Sequence, residues 1–262
     1  MNISLVGKTA IVGGSTQGIG FSIAELFAEC GATVLLLARN REKLSEKVQL
    51  LSTAHGQKHD ILVADYNDAV TVELVVRGFL DDGGICDILI NNTGGPAPGL
   101  IENAKPDDFM AAFTSHVIVN HRLSQLVIPA MKNRTWGRII NIVSTSVKQP
   151  LAGLGVSNTV RGATASWSKT LASEVAKHNI TVNCILPGAT KTGRLDAIIK
   201  KKTEQQNITE QEAIASMEKE IPAGRLGDPK DIAGLAAFLA SDWGAYITGT
   251  NIAVDGGRTN TF

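Results

Sequence analysis

The chain has 262 residues, 44% of them hydrophobic, and its 25 basic residues balance its 25 acidic ones to a formal net charge of zero. That length suits one α/β domain or two smaller ones and is enough to bury a sizeable core. A neutral balance leaves no electrostatic footprint for a nucleic acid or an anionic membrane. No apolar run is long enough to span a bilayer and no signal-peptide pattern opens the chain, so neither a nucleic acid nor a membrane is expected as a partner. Cys30, Cys86 and Cys184 have no paired spacing. They read as small apolar fillers in a reducing, cytoplasmic compartment, and the Cys and His pattern offers no metal site.

The most informative stretch is Ala10 to Gly20, AIVGGSTQGIG. Ala10, Ile11 and Val12 suit a buried strand. Gly13, Gly14, Gly18 and Gly20 follow, and then Ile23, Ala24, Leu26, Phe27 and Ala28 recur at helical spacing. The order is strand, glycine turn, helix. Free N–H groups at the helix start and the positive end of its dipole make such a turn a phosphate site; the alternative is a purely structural Gly-rich turn. Gly31 caps the helix. Thr33 to Ala38 reads as a second buried strand, and Arg39 and Arg41 flank the turn after it. In a dinucleotide site the residue past the second strand faces the adenosine ribose, where a carboxylate bonds a 2′-hydroxyl and an Arg pairs with a 2′-phosphate. Arg39 stands there without a carboxylate, which favours NADP(H) over NAD(H), unless the two arginines merely solvate a loop.

A charged helix from Glu42 to about Ala54 follows, then a strand from Asp60 to Ala64, a helix from Val70 to Leu80, and a strand from Asp87 to Ile90 running into Asn91-Asn92-Thr93-Gly94-Gly95-Pro96. Strands alternating with helices at this pitch argue for a doubly wound parallel sheet with helices on both faces. Helices are read at Phe109 to Thr114, Val117 to Met131 and Asn158 to Lys177, and strands at Arg138 to Val143, Asn179 to Ile185 and Asn251 to Val254. The two longest helices carry small-residue faces that suit a subunit interface. Residues 200–220, polar and weakly periodic, read either as part of a lid spanning about 191–222 or as a solvated surface helix. A last helix runs from Asp228 to Ala240, with Pro229 in its first turn. No linker or repeat is visible, and one domain over residues 1–262 is the simplest account.

At this point the residues resemble a family, the short-chain dehydrogenase/reductases, over nearly the whole chain. The likeness rests on GSTQGIG (Gly14 to Gly20), Asp65, NNTGG (Asn91 to Gly95), NIVS (Asn141 to Ser144), ITVNCILPG (Ile180 to Gly188), RLGDPKDIA (Arg225 to Ala233) and VDGG (Val254 to Gly257). It is strongest to the bacterial 3-oxoacyl-acyl-carrier-protein reductases. The resemblance implies a single Rossmann-type domain with a sheet of about seven strands, a nicotinamide cofactor, a small-molecule or acyl-linked carbonyl substrate, and a homotetramer or homodimer. It assigns Gly14, Ser15, Gln17, Gly18, Ile19 and Gly20 to the pyrophosphate and adenosine side and Asp65 to the adenine amino group. Asn92, Thr93 and Gly94 line the ribose, and Pro187, Gly188, Thr190 and Thr192 the nicotinamide end.

The catalytic set departs from the family's Asn, Ser, Tyr and Lys. Ser144 matches the Ser, but Ser157 and Arg161 stand where the Tyr and Lys belong, and His116 aligns with the Asn. A Ser hydroxyl is a far weaker acid than a Tyr phenol beside a Lys, and Arg161 stays charged. Some other acid must act, or little chemistry occurs. His116 titrates in the right range and is one candidate, directly or through Ser157 or a water. Lys148, four residues past Ser144, is another. Ser157 is alternatively a helix N-cap, and Arg161 an anchor for the nicotinamide ribose or an acidic substrate. The expected activity is an NADP(H)-dependent oxidoreductase, reducing a ketone or oxidising an alcohol, with a non-standard proton donor. The other class of reading is a cofactor-binding sensor or inactive partner subunit.

Overall fold

The computed structural model describes residues 3–261. Seven strands appear among them: β1 (Thr9–Gly13), β2 (Thr33–Ala38), β3 (Asp60–Val63), β4 (Ile88–Asn91), β5 (Gly137–Ile142), β6 (Ile180–Pro187) and β7 (Asn251–Val254). They form one all-parallel sheet in the order β3-β2-β1-β4-β5-β6-β7. Helices α1 (Gly18–Glu29), α2 (Arg41–Val48), α3 (Ala69–Asp81), α4 (Pro106–Phe113), α5 (Val119–Arg134), α6 (Gly155–Val175), α7 (Gly193–Gln206), α8 (Glu210–Lys219) and α9 (Pro229–Ala240) complete it.

The strands are buried on both faces, which is why they read as apolar runs rather than alternating ones. Alternation still divides the core. Ala10 and Val12 enter one cluster with Ile23 and Phe27 of α1 and Ile232 and Ala236 of α9. Ile11 points the other way, into a cluster with Val72 of α3, Val127 of α5 and Ala172 of α6. Full burial of a side chain such as Phe27 contributes about 1.5–3 kcal/mol.

The strand order reverses between β1 and β4. Loops at the carboxyl ends of these two strands diverge there and leave a crevice, the usual ligand position in open parallel sheets. The turn after β1, the loop after β4 and the loops after β5 and β6 all end at this edge.

Residues 193–219 depart from the sequence expectation in form. They make two helices, α7 and α8, starting at Gly193. A separate small core of Leu195, Ile199, Ala213, Met217, Ile221 and Leu226 holds them. Thr209 and Glu212 form a capping box that starts α8. The charged helix after β2 is shorter than expected and ends at Val48.

Candidate active site

The turn after β1 is shaped by its glycines. Gly14 and Gly18 have φ values of 56° and 57°, a left-handed conformation in which an L side chain is strained. A Cβ on Gly20 would sit 2.4 Å from the carbonyl oxygen of Gly14 and 2.7 Å from Asn92 Nδ2. Asn92 closes the junction by donating to the Gly13 carbonyl at 3.0 Å. The hydroxyl of Ser15 is buried without a hydrogen-bond partner. On the far side Thr192 lies against Gly18 and Gln17 against Gly193, so the start of α7 adjoins the glycine turn. A cradle this tight, opening on the first turn of α1, fits a pyrophosphate.

At the adenosine end, Arg39 projects from the end of β2 with its side chain 75% exposed and lies 3.7 Å from Asp65 Oδ2. Both groups stand at the same rim as an exposed ion pair, with most of the Arg39 side chain open to solvent. Past β6, Gly188 donates its N–H to the Val254 carbonyl, and the hydroxyls of Thr190 and Thr192 donate to the carbonyls of Gly188 and Thr190. Thr93 and Gly94 lie in the loop after β4, beside Asn92.

The expected catalytic residues fall into two groups. Between α4 and α5 the helix takes one π turn, Thr114–Ile118. The extra residue in such a turn rotates the helix face, and Ser115, His116 and Val117 all end buried. On α6, Ser157, Arg161, Thr164 and Ser168 recur at helical spacing, and all four are buried. Thr164 donates to the His116 carbonyl at 3.4 Å, which ties the two elements. Arg161 donates to the Ile142 carbonyl at 2.7 Å, and its Nε has no partner. Below it Asn91 donates to Asn141, Asn141 to Ser168, and Ser168 to the Thr164 carbonyl, a buried polar chain that fixes α6 on the sheet.

A second cation joins from α7. Arg194 donates to the carbonyls of Gly95 at 2.9 Å and Pro96 at 3.2 Å, reaching from the first turn of α7 across to the loop after β4. Sequence reasoning missed Arg194; a basic residue in a polar, charged stretch gives no signal of its own. It also missed the polar stripe on α6, although its spacing was there to read.

Two expectations are corrected here. His116 does not titrate between pH 6 and 8. Burial, with Arg161 and Arg194 nearby, pushes its pKa down to about 2 despite a hydrogen bond to the Gly94 backbone, and its Nε2 has no partner. The imidazole is neutral at every physiological pH. Nor is Ser157 a helix N-cap: α6 starts at Gly155 after Leu154, so Ser157 lies within the helix. Arg161 is pushed down only to about 10, by burial and by Arg194, and stays charged.

Ser144 opens the turn after β5, where its hydroxyl oxygen accepts from the Ser146 N–H at 3.1 Å; a hydroxyl that accepts there keeps its O–H to donate. Lys148 is half-buried at the end of that turn, with its carbonyl accepting from Thr261. It is not among the charges that bear on His116. A cavity of about 360 Å³ begins at Thr145 and is lined also by Gln149, Leu151, Glu220, Arg258 and Thr259. The chain's two tyrosines lie elsewhere: Tyr66 is buried against Gly13, and Tyr246 is fully exposed. Among the described residues no cluster of His, Cys, Asp and Glu could hold a metal ion, and no helix is long and apolar enough to cross a membrane.

A doubly wound sheet with a glycine turn at its switch point and a serine at the end of β5 defines the class of nucleotide-dependent oxidoreductase folds. The chain belongs to the short-chain dehydrogenase/reductase family: the family described as Enoyl-(acyl carrier protein) reductase matches residues 14–259. The NADPH-dependent reductase BacG of Bacillus subtilis is 33% identical over 251 residues, covering 95% of this chain and 97% of that protein. The 3-oxoacyl-[acyl-carrier-protein] reductase FabG of Haemophilus influenzae is 36% identical over 96% of this chain and 98% of its own. The crystal structure of L-sorbose reductase from Gluconobacter frateurii, complexed with NADPH and L-sorbose, superposes with a TM-score of 0.93 at 33% identity, with both chains fully covered.

Proposed function

We propose that the chain is an NADP(H)-dependent reductase of the short-chain family that acts on a carbonyl group of a small-molecule or acyl-linked substrate, without the family's Tyr and Lys. The observation that carries this reading is the glycine cradle of Gly14, Gly18 and Gly20 closed by Asn92, with Arg39 at the end of β2 for a 2′-phosphate. The relatives with NADPH in their names support the same cofactor. Gly14, Ser15, Gln17, Gly18, Ile19 and Gly20 would hold its pyrophosphate side, Asp65 its adenine, Asn92, Thr93 and Gly94 a ribose, and Pro187, Gly188, Thr190 and Thr192 its nicotinamide end. When bound, the cofactor supplies a hydride.

The chain's own residues bind, orient and stabilise. Ser144 donates its hydroxyl proton in a hydrogen bond to the substrate oxygen. Arg161 places a fixed positive charge where negative charge develops on that oxygen, the usual means of stabilising such a charge in a site shielded from water. His116 takes part as a neutral imidazole, a hydrogen-bonding group rather than a titrating acid. The final proton comes from water, with Ser157, one helical turn before Arg161 on α6, to relay it. The helices α7 and α8 act as the lid over this site. Assembly as a dimer or tetramer through α5 and α6 and a cytoplasmic location complete the reading.

The test is titration with NADPH and NADH, then NADPH oxidation with keto-esters and β-keto thioesters. Tight NADPH binding with turnover supports the reading. Tight binding without turnover on any carbonyl compound replaces it with the sensor or inactive-subunit reading, which the lack of a titrating acid in the cluster favours.

A further inference from the structure

Arg161 and Arg194 are held in or against the protein interior by neutral partners alone. Arg161 is buried with one bond, to the Ile142 carbonyl. Arg194 is half-buried with bonds only to the Gly95 and Pro96 carbonyls. Neither pairs with a carboxylate among the described residues, and the charge that bears on Arg161 is that of Arg194, another cation. Carbonyl oxygens satisfy donors but do not neutralise charge. A buried cation costs several kcal/mol unless an anion answers it.

The loops around the cluster sharpen the imbalance. Residues 91–101, 144–155 and 188–195 contain no Asp or Glu, yet they carry Lys148, Lys191 and Arg194. With Arg161 beneath them these loops are positive on a chain whose net charge is zero, while the acidic groups at the same edge stand off them: Asp255 against Gly188, and Glu220 paired with Arg258. A cleft lined by one sign of charge concentrates ligands of the other sign. The unpartnered Arg161 Nε and His116 Nε2 are further polar atoms in the same cluster.

We propose that the substrate carries an oxyanion, a carboxylate or a phosphate ester, which docks on the guanidinium group of Arg194, with the buried charge of Arg161 adding to the field there. Both anions accept the paired N–H bonds a guanidinium offers. This deepens the reductase reading and rests on it for the reaction, though not for the binding. Arg194 also sits on α7, so a ligand that draws it from the Gly95 and Pro96 carbonyls changes how the lid is latched.

The experiment compares matched pairs. NADPH oxidation is followed with acetoacetate against ethyl acetoacetate, and with dihydroxyacetone phosphate against dihydroxyacetone. The charged member is expected to have the higher kcat/KM, by about tenfold or more at low salt, and the advantage to shrink as salt rises. Which pair shows it distinguishes carboxylate from phosphate. Arg194→Gln should abolish the preference and Arg194→Lys retain part of it, while NADPH affinity stays within about twofold. Equal or better turnover of the neutral members overturns the proposal. So does an Arg194→Gln variant that binds NADPH weakly with the charge preference intact, because the guanidinium then serves the cofactor. A second arm needs no turnover: butyrate or inorganic phosphate should raise the melting temperature of the wild-type protein and not of Arg194→Gln. A rise with no reduction of any carbonyl keeps this proposal and removes the reductase reading; no rise with either anion overturns it.

Discussion

Arg161 donates to the carbonyl of Ile142 at 2.7 Å, and that bond is what holds a charged side chain against the end of β5, two residues before Ser144. The fold spends stability to keep a cation there. Arg161→Met is therefore expected to raise the melting temperature, by on the order of 1 kcal/mol of unfolding free energy, while lowering kcat. Thermal denaturation without cofactor, set beside steady-state rates, checks both directions. A variant that is less stable and fully active would show that Arg161 is a structural residue.

His116 makes a pH prediction. Its folded pKa lies near 2, against an ordinary value of 6.5. Below the ordinary value the unfolded chain takes up a proton that the folded chain refuses, so stability falls as pH falls. The expected slope is ~1.4 kcal/mol per pH unit below about pH 6, flattening above pH 7. His116→Asn should remove that slope. Urea denaturation of both proteins at several pH values checks it, and parallel stability curves would contradict the assignment. Activity between pH 6 and 8 should likewise show no step from this imidazole.

The proposed role of Arg39 in cofactor preference has its own test. Its side chain is exposed and lies 3.7 Å from Asp65, so Arg39→Asp removes the partner for a 2′-phosphate at little cost to the fold. NADPH affinity should fall about tenfold or more, with NADH gaining relative to it. Titration of both cofactors against both proteins reads this directly. An unchanged ratio removes Arg39 from the site.

Gly20 tests the cradle. A methyl group there would approach the Gly14 carbonyl to 2.4 Å and Asn92 Nδ2 to 2.7 Å, and backbone offers no room to yield. Gly20→Ala should lose about 1–3 kcal/mol of stability and most cofactor affinity together. Retention of both would mean that the turn is looser than its geometry.

The sheet and the cradle were legible because their signals are local. β7 falls at Asn251–Val254 as read, and Gly14 and Gly18 have the left-handed backbone that a glycine turn requires. What escaped depends on packing between distant segments. The neutrality of His116 comes from burial by α6 and from two arginines, 45 and 78 positions further along the chain. Residues 193–219 fold as two helices because a small apolar core, Leu195 with Ala213 and Met217, organises them; a few apolar residues spread over two helices leave weak periodicity. Ser157, Arg161, Thr164 and Ser168 did carry a readable period, but a polar stripe reads as a solvated face until a sheet is found beneath it.

The measurement that tests the account most directly is titration of the purified protein with NADPH and with NADH, followed by NADPH oxidation in the presence of carbonyl acceptors. The account predicts saturable binding that favours NADPH and oxidation that depends on the acceptor and on Ser144. Absence of NADPH binding, or a preference for NADH, would contradict the reading of the glycine cradle and Arg39.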